Sequence, residues 1–202
     1  MKYQPTSKQN RKGFTLIEMI GVLAVIAILA ALLIPKVFSA INSARVNGVT
    51  VSVDTAKAAI ADHYGKYGKF NTVFGTTDLG TVGVITNNFD KILLAEGFLD
   101  KPFTAKVAGG DPSTNAVLRL VDGVTGNAGG GYKLDGLTVG TTNGSFLVEA
   151  VLYGVGKQDA KDLNDLIDGA SLGAAVGALD DKGRVEFAAG DSTTVYIYVT
   201  HR

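Results

Sequence analysis

The chain has 202 residues, nineteen basic side chains balanced by nineteen acidic ones, and no cysteine. That composition excludes disulfides, thiolate metal sites and cysteine nucleophiles. It also leaves no basic stripe for nucleic acid beyond the first thirteen residues. The length suits a membrane segment plus one soluble domain of roughly 130 residues, enough to hold together by packing alone.

Lys2, Lys8, Arg11 and Lys12 open the chain without an acid, leaving fifteen basic against nineteen acidic side chains after Gly13. From Phe14 to Ile34 the sequence is apolar, interrupted by one charged side chain, Glu18. A run of about 20 apolar residues spans a bilayer as a helix. Ten Leu, Ile and Val residues between Met19 and Ile34 favour insertion by roughly −3 to −6 kcal/mol, against at most about +3 for an acid near one end. The segment therefore inserts despite Glu18.

Three readings fit a basic segment ahead of such a run. A cleaved secretory signal needs a shorter apolar core ending in small residues, whereas this one continues to Pro35-Lys36. A plain single-span anchor, with Met1 to Lys12 in the cytoplasm, explains insertion. It leaves the Gly13-Phe14 junction and the acid five residues into the helix unexplained.

Gly13-Phe14-Thr15-Leu16-Ile17-Glu18, the basic leader and Pro35 together resemble the class III signal of type IV pilins and of the pilin-like proteins of type II secretion. The resemblance is specific over residues 11–35. It implies cleavage between Gly13 and Phe14 by a prepilin peptidase, methylation of the new amino-terminal Phe14, and an assembly role for Glu18. Pro35 falls where many family members carry a helix-kinking proline. Ala27 departs from the helix-weakening glycine that many filament formers have there. Electrostatics gives Glu18 a role that does not depend on the family. Cleavage creates a cationic amine at Phe14, a helix amino terminus adds about half a positive charge, and Glu18 of an adjacent copy can neutralise both in lipid.

Past Pro35 the pattern becomes amphipathic. Ile41, Val49, Val53, Ala56, Ile60, Tyr64 and Tyr67 share one face, while Asn42, Arg45, Asp54, Lys57 and Asp62 fall mostly elsewhere. The same helix is expected to continue, bent rather than stopped by Pro35, and to end near Gly65 and Gly68. Residues 69–115 read as a loop region with one short helix through Phe89, Ile92 and Leu93, closing at Gly97. His63 is expected at the edge of the buried face. Phe14, Phe38, Tyr64, Tyr67 and Phe70 are read as core and interface packing rather than a charge-carrying path.

The remainder reads as strands at Ala116–Val121, Tyr132–Val139, Ser145–Tyr153, Arg184–Phe187 and Thr193–Thr200, with a helix over Asp159–Asp168. Asp159, Asp162, Asp165 and Asp168 read as a solvated helix face, since three-residue spacing drifts around a helix and lacks the geometry of a calcium loop. Asp180-Asp181-Lys182-Gly183 reads as a turn. Gly129-Gly130-Gly131 lacks the Lys and Ser/Thr of a phosphate loop and reads as linker. His63 and His201 do not form a zinc motif, and no nucleophile, base and orienting acid can be assembled. The expectation is a non-enzyme with no catalytic residues, metal or cofactor.

The resemblance implies an α+β pilin fold, a long amino-terminal helix packed on a carboxy-terminal antiparallel sheet. The expected organisation is a cleaved leader over 1–13, a hydrophobic transmembrane and assembly helix over 14–38, its amphipathic continuation over 39–68, and a globular loop-and-sheet domain over 69–202. The implied function is a structural subunit of a type IV pilus or related filament, of either the IVa or the IVb pattern. The alternative is a pseudopilin of a type II secretion or competence system, forming a periplasmic pseudopilus. A monomeric membrane-anchored binding or catalytic domain that keeps its leader is a third reading. Implied partners are further copies meeting through the amino-terminal helices, prepilin peptidase, an inner-membrane assembly platform, minor pilins or pseudopilins, and the membrane before assembly. The implied location is the inner membrane, then an extracellular pilus.

Overall fold

The computed structural model describes residues 13–70, 73–74, 77–78, 85–86, 88–111, 114–122, 132–134, 137–138 and 146–201. The leader and Gly129-Gly130-Gly131 lie outside the described residues. In chain order the elements are α1 (Leu16–Tyr67), β1 (Val73–Phe74), β2 (Thr77–Asp78), β3 (Ile85–Thr86), α2 (Phe89–Ala95) and β4 (Ala116–Asp122). They continue with β5 (Lys133–Leu134), β6 (Leu137–Thr138), β7 (Phe146–Gly156), α3 (Lys157–Ile167), β8 (Val185–Phe187) and β9 (Ser192–His201). Two compact units result, Met1–Ile41 and Asn42–Arg202.

In the first unit every described residue is solvent-exposed, its Leu, Ile, Val and Phe side chains included. An 18-residue window of α1 reaches a mean hydropathy of 2.8 with none of it buried. A helix apolar on all sides is stable only in lipid or among other apolar helices. Pro35 lies inside α1, which continues through it as helix.

In the second unit α1 buries Val46, Val49, Val53, Ala56 and Ile60 along one stripe. Their spacing keeps them together on a 3.6-residue period. The helix runs through Gly65 to Tyr67, and the N–H of Gly68, at φ 67°, donates to the carbonyl of Tyr64 at 2.7 Å. That left-handed closure favours glycine.

The main sheet is antiparallel, in the order β3-β4-β7-β9-β8. Strand alternation gives it two covered faces. Leu118 and Leu120 of β4, Val148, Ala150 and Leu152 of β7, and Val195, Ile197 and Val199 of β9 join the α1 stripe in one core. Val121, Leu147 and Tyr132 form a smaller cluster, against which Tyr196 and Tyr198 pack. In β9, Val195, Ile197 and Val199 thus face one cluster and Tyr196 and Tyr198 the other. The fold is an α+β arrangement of a long amino-terminal helix and a carboxy-terminal antiparallel sheet, as the pilin-like reading requires.

Several expectations need correction. Tyr132–Val139 is not one strand: β5 and β6 form a two-stranded hairpin in which Lys133 pairs with Thr138 and Leu134 with Leu137. Asp135-Gly136 between them is a sequence signal for such a hairpin. His63 is not an edge residue but fully buried, and its Nδ1 meets the carboxylate of Glu96. Rings of Tyr67, Phe70, Phe89 and Phe98 surround it. Asp168 does not belong to a solvated face: its Oδ2 accepts the N–H groups of Arg184 at 2.7 Å and Val185 at 2.8 Å. Asp162 and Asp165 do fit that face, bonding Gln158 and Lys161 one turn away.

Candidate functional site

The amino-terminal segment gathers the residues that the sequence singled out. Gly13 and Phe14 are exposed and precede the helix. Thr15 is the residue before the first helical position, and Glu18 lies in the first turn. The Thr15 N–H and its hydroxyl both donate to Oε2 of Glu18 at 2.7 Å, while the Glu18 N–H donates to the Thr15 hydroxyl at 3.4 Å. This is a capping box, in which an N-cap hydroxyl and an N3 carboxylate satisfy each other's otherwise orphaned donors. The acid also sits at the positive end of the helix dipole.

Glu18 thus has a partner in its own chain that charge reasoning alone passes over. The signal is present in the sequence, as Thr-x-x-Glu immediately before an apolar run. Phe14, Glu18, Gly21, Val22, Val25 and Ile26 line one shallow recess along a single stripe of the helix. Gly21 leaves it open, since it has no side chain within that stripe. The recess is apolar apart from one carboxylate, a surface suited to another apolar chain end carrying a positive charge.

A second polar cluster lies under the opposite face of the sheet from α1. Arg119 and Glu149 stand opposite each other in the β4–β7 register and form an ion pair. Glu149 is fully buried, and Arg119 is 12% exposed. The Tyr132 hydroxyl donates to Oε2 of Glu149 at 2.8 Å, and the Arg119 guanidinium lies over the ring of Tyr196. Burial raises the Glu149 carboxyl above its ordinary range, partly offset by the Arg119 charge. Burial pushes the Tyr132 phenol well above its usual range, with the neighbouring Glu149 carboxylate adding to the effect.

Neither Arg119 nor Glu149 was singled out from the sequence. Each is a lone charge at the centre of an apolar strand, and opposite charges so placed signal a cross-strand pair. The Tyr132–Glu149 bond ties this face of the sheet to the residue that covers it. Among the described residues no three His, Cys, Asp or Glu side chains group as a metal site requires.

Comparison with known proteins bears on the amino-terminal segment. Residues 8–34 match the prokaryotic N-terminal methylation motif. Over 48 residues the chain is 50% identical to the type IV wide pilus major component PilA4 of Thermus thermophilus. That alignment covers 24% of this chain and 37% of that relative. No solved structure matches. The chain therefore carries a prokaryotic N-terminal methylation motif over residues 8–34, and along the aligned stretch it is similar to a type IV pilus component.

Proposed function

We propose that the chain is a non-enzymatic structural subunit of a type IV pilus or related filament, held in the membrane as a precursor and polymerised through its amino-terminal helix. The observation that supports this most directly is a helix with all its apolar side chains exposed over Phe14–Ile41 and one acid, Glu18, at its start. Hydrolysis of the Gly13–Phe14 peptide bond by prepilin peptidase removes 1–13 and leaves an amine on Phe14. The amine then displaces a methyl group from a methylsulfonium donor, releasing a thioether and one proton, and the resulting secondary amine stays cationic near neutral pH, where α-amino groups have pKa values of about 7.7–8.0.

Before assembly Glu18 is satisfied by Thr15 of its own chain. In the filament it exchanges that cap for the Phe14 amine of a neighbouring copy. Between apolar helices that exclude water the attraction of the two opposite charges is stronger than it is at the solvent-facing cap, and the pair leaves neither charge uncompensated. The exchange favours assembly and sets the register between copies.

Mass spectrometry of the native amino terminus, with electron microscopy of sheared surface material, tests the proposal. The expected chain begins at Phe14, carries one added methyl group and forms fibres. The Glu18→Ala variant should be cleaved and yet form no fibres. A chain still beginning at Met1, or normal fibres from Glu18→Ala, would defeat the respective part of the proposal.

A further inference from the structure

Gly21 is the one glycine of α1 ahead of Pro35. Glycine forms helix less readily than any residue but proline, and it forgoes the apolar side chain that favours insertion. A Cβ built at Gly21 meets nothing within 4 Å in its own chain. No close approach inside the molecule therefore calls for a glycine at this position.

At 3.6 residues per turn, Phe14, Glu18, Gly21, Val22 and Val25 fall on one stripe of the helix, and all five line the recess at its start. The missing side chain lies one turn from the carboxylate, so the floor of the recess beside Glu18 is bare helix backbone. Glu18 also has an oxygen to offer. Its Oε2 takes both bonds from Thr15, and its Oε1 has no partner among the described residues.

The recess thus combines one free carboxylate oxygen with apolar walls, and its complement is a single positive charge carried on an apolar end. Between Gly13 and Ile41 the other charged side chain is Lys36, about 27 Å further along the helix. The amine formed at Phe14 meets both requirements, since it is cationic and the side chains of Phe14, Leu16 and Ile17 around it are apolar and exposed.

We propose that Gly21 sets the size of this seat, admitting the N-methylated Phe14 end of a second copy against bare backbone so that its ammonium reaches Oε1 of Glu18. This rests on the filament reading above and adds to it the residue that decides what the recess accepts. The attraction between two opposite charges falls as their separation grows. A side chain at position 21 that holds the incoming end away therefore weakens the pair. The methyl group suits the same seat. It replaces an N–H that would find no acceptor in an apolar wall with an apolar group that packs on it, and a glycine lets the two backbones approach.

Gly21→Ala and Gly21→Leu in the full precursor, produced together with prepilin peptidase, test the seat. Both substitutions favour helix, and leucine favours insertion. Cleavage after Gly13 and the added methyl group, read by mass spectrometry, should therefore be unchanged. Filament yield should fall in order of side-chain size, with Gly21→Leu lower by roughly tenfold or more, the factor carried by loss of one hydrogen bond to a charged group. A diazirine-bearing leucine analogue in place of Val25 should cross-link, in assembled filaments, to the peptide that begins at Phe14 of another copy. Normal filament yield from Gly21→Leu overturns the seat and leaves the filament reading standing. A cross-link from intact filaments to lipid alone, or to another part of the neighbouring chain, also overturns it. If Ala27→Gly restores filaments to the Gly21→Ala chain, the glycine serves helix flexibility and not space, and the seat is again overturned. Loss of cleavage or of the methyl group in both variants assigns Gly21 to processing in place of the seat. Absence of filaments from the unsubstituted chain defeats the filament reading, and the seat with it.

Discussion

Arg119 and Glu149 face each other across the β4–β7 ladder, and the carboxylate of the pair is closed to solvent. Two charges in the middle of a sheet are retained together because either one alone would be buried without compensation. Tyr132 completes the arrangement by donating to the second carboxylate oxygen. The second face of the sheet is thus tied to its cover by a directional contact, whereas the α1 face relies on aliphatic packing.

Replacing one member of this pair should cost more than replacing both. Arg119→Leu should destabilise the globular unit by about 3–5 kcal/mol, because it leaves a buried carboxylate unpaired. The double replacement Arg119→Leu/Glu149→Leu should recover most of that loss. Unfolding of the detergent-solubilised chain, followed by near-ultraviolet circular dichroism, measures both. Equal destabilisation in the single and double variants would show that the pair is not the source of the cost.

Stability should fall as pH rises through the acid range. Asp90 is buried on α2, where its Oδ2 accepts the Phe103 N–H at 3.2 Å. Burial nevertheless lifts its carboxyl above the ordinary value of 3.8. The folded chain then holds this proton more tightly than the unfolded chain. The resulting stabilisation is complete below 3.8 and is lost as pH climbs through the higher folded value. Glu149, Asp159 and Asp168 shift in the same direction, each with burial as the largest cause. Asp191, held low first by its hydrogen bond to Lys157, acts oppositely from the exposed surface. Thermal unfolding should therefore occur at a lower temperature at about pH 7 than at about pH 4. Asp90→Asn should flatten part of that slope, and an unchanged slope in the variant would remove Asp90 from the explanation.

Gly109 and Gly154 bring two backbones into contact. The Gly109 N–H donates to the carbonyls of Tyr153 and Gly154 at 3.0 and 3.1 Å, and a Cβ at Gly109 would stand 2.8 Å from the Gly154 oxygen. Backbone cannot swing aside as a flexible side chain can. Gly109→Ala should cost about 1–3 kcal/mol, the range of overpacking in a well-packed site. A melting temperature equal to that of the unsubstituted chain would show that the two segments can separate freely.

Much of this protein is legible in its sequence where the signal is local or periodic. The apolar run to Ile34, the amphipathic stripe from Val49 to Ile60, the short helices and the strands from Ala116 onward other than the β5–β6 hairpin follow from side-chain period and punctuation. The amino-terminal motif is equally readable, since Gly13, Phe14 and Glu18 lie within six consecutive residues. The Thr15–Glu18 cap is in view too, as a pattern of four residues.

The sequence by itself therefore determined the membrane-compatible helix, its acid, the two short helices and the strands β4, β7, β8 and β9, because each depends on residues within a turn or two of one another. Only the tertiary structure decided that His63 is buried against Glu96, that Arg119 finds Glu149 across thirty residues, and that Asp168 anchors Arg184 and Val185. Those pairings cross between elements, and a lone charge or histidine on a strand or helix does not say which distant partner the fold will bring to it.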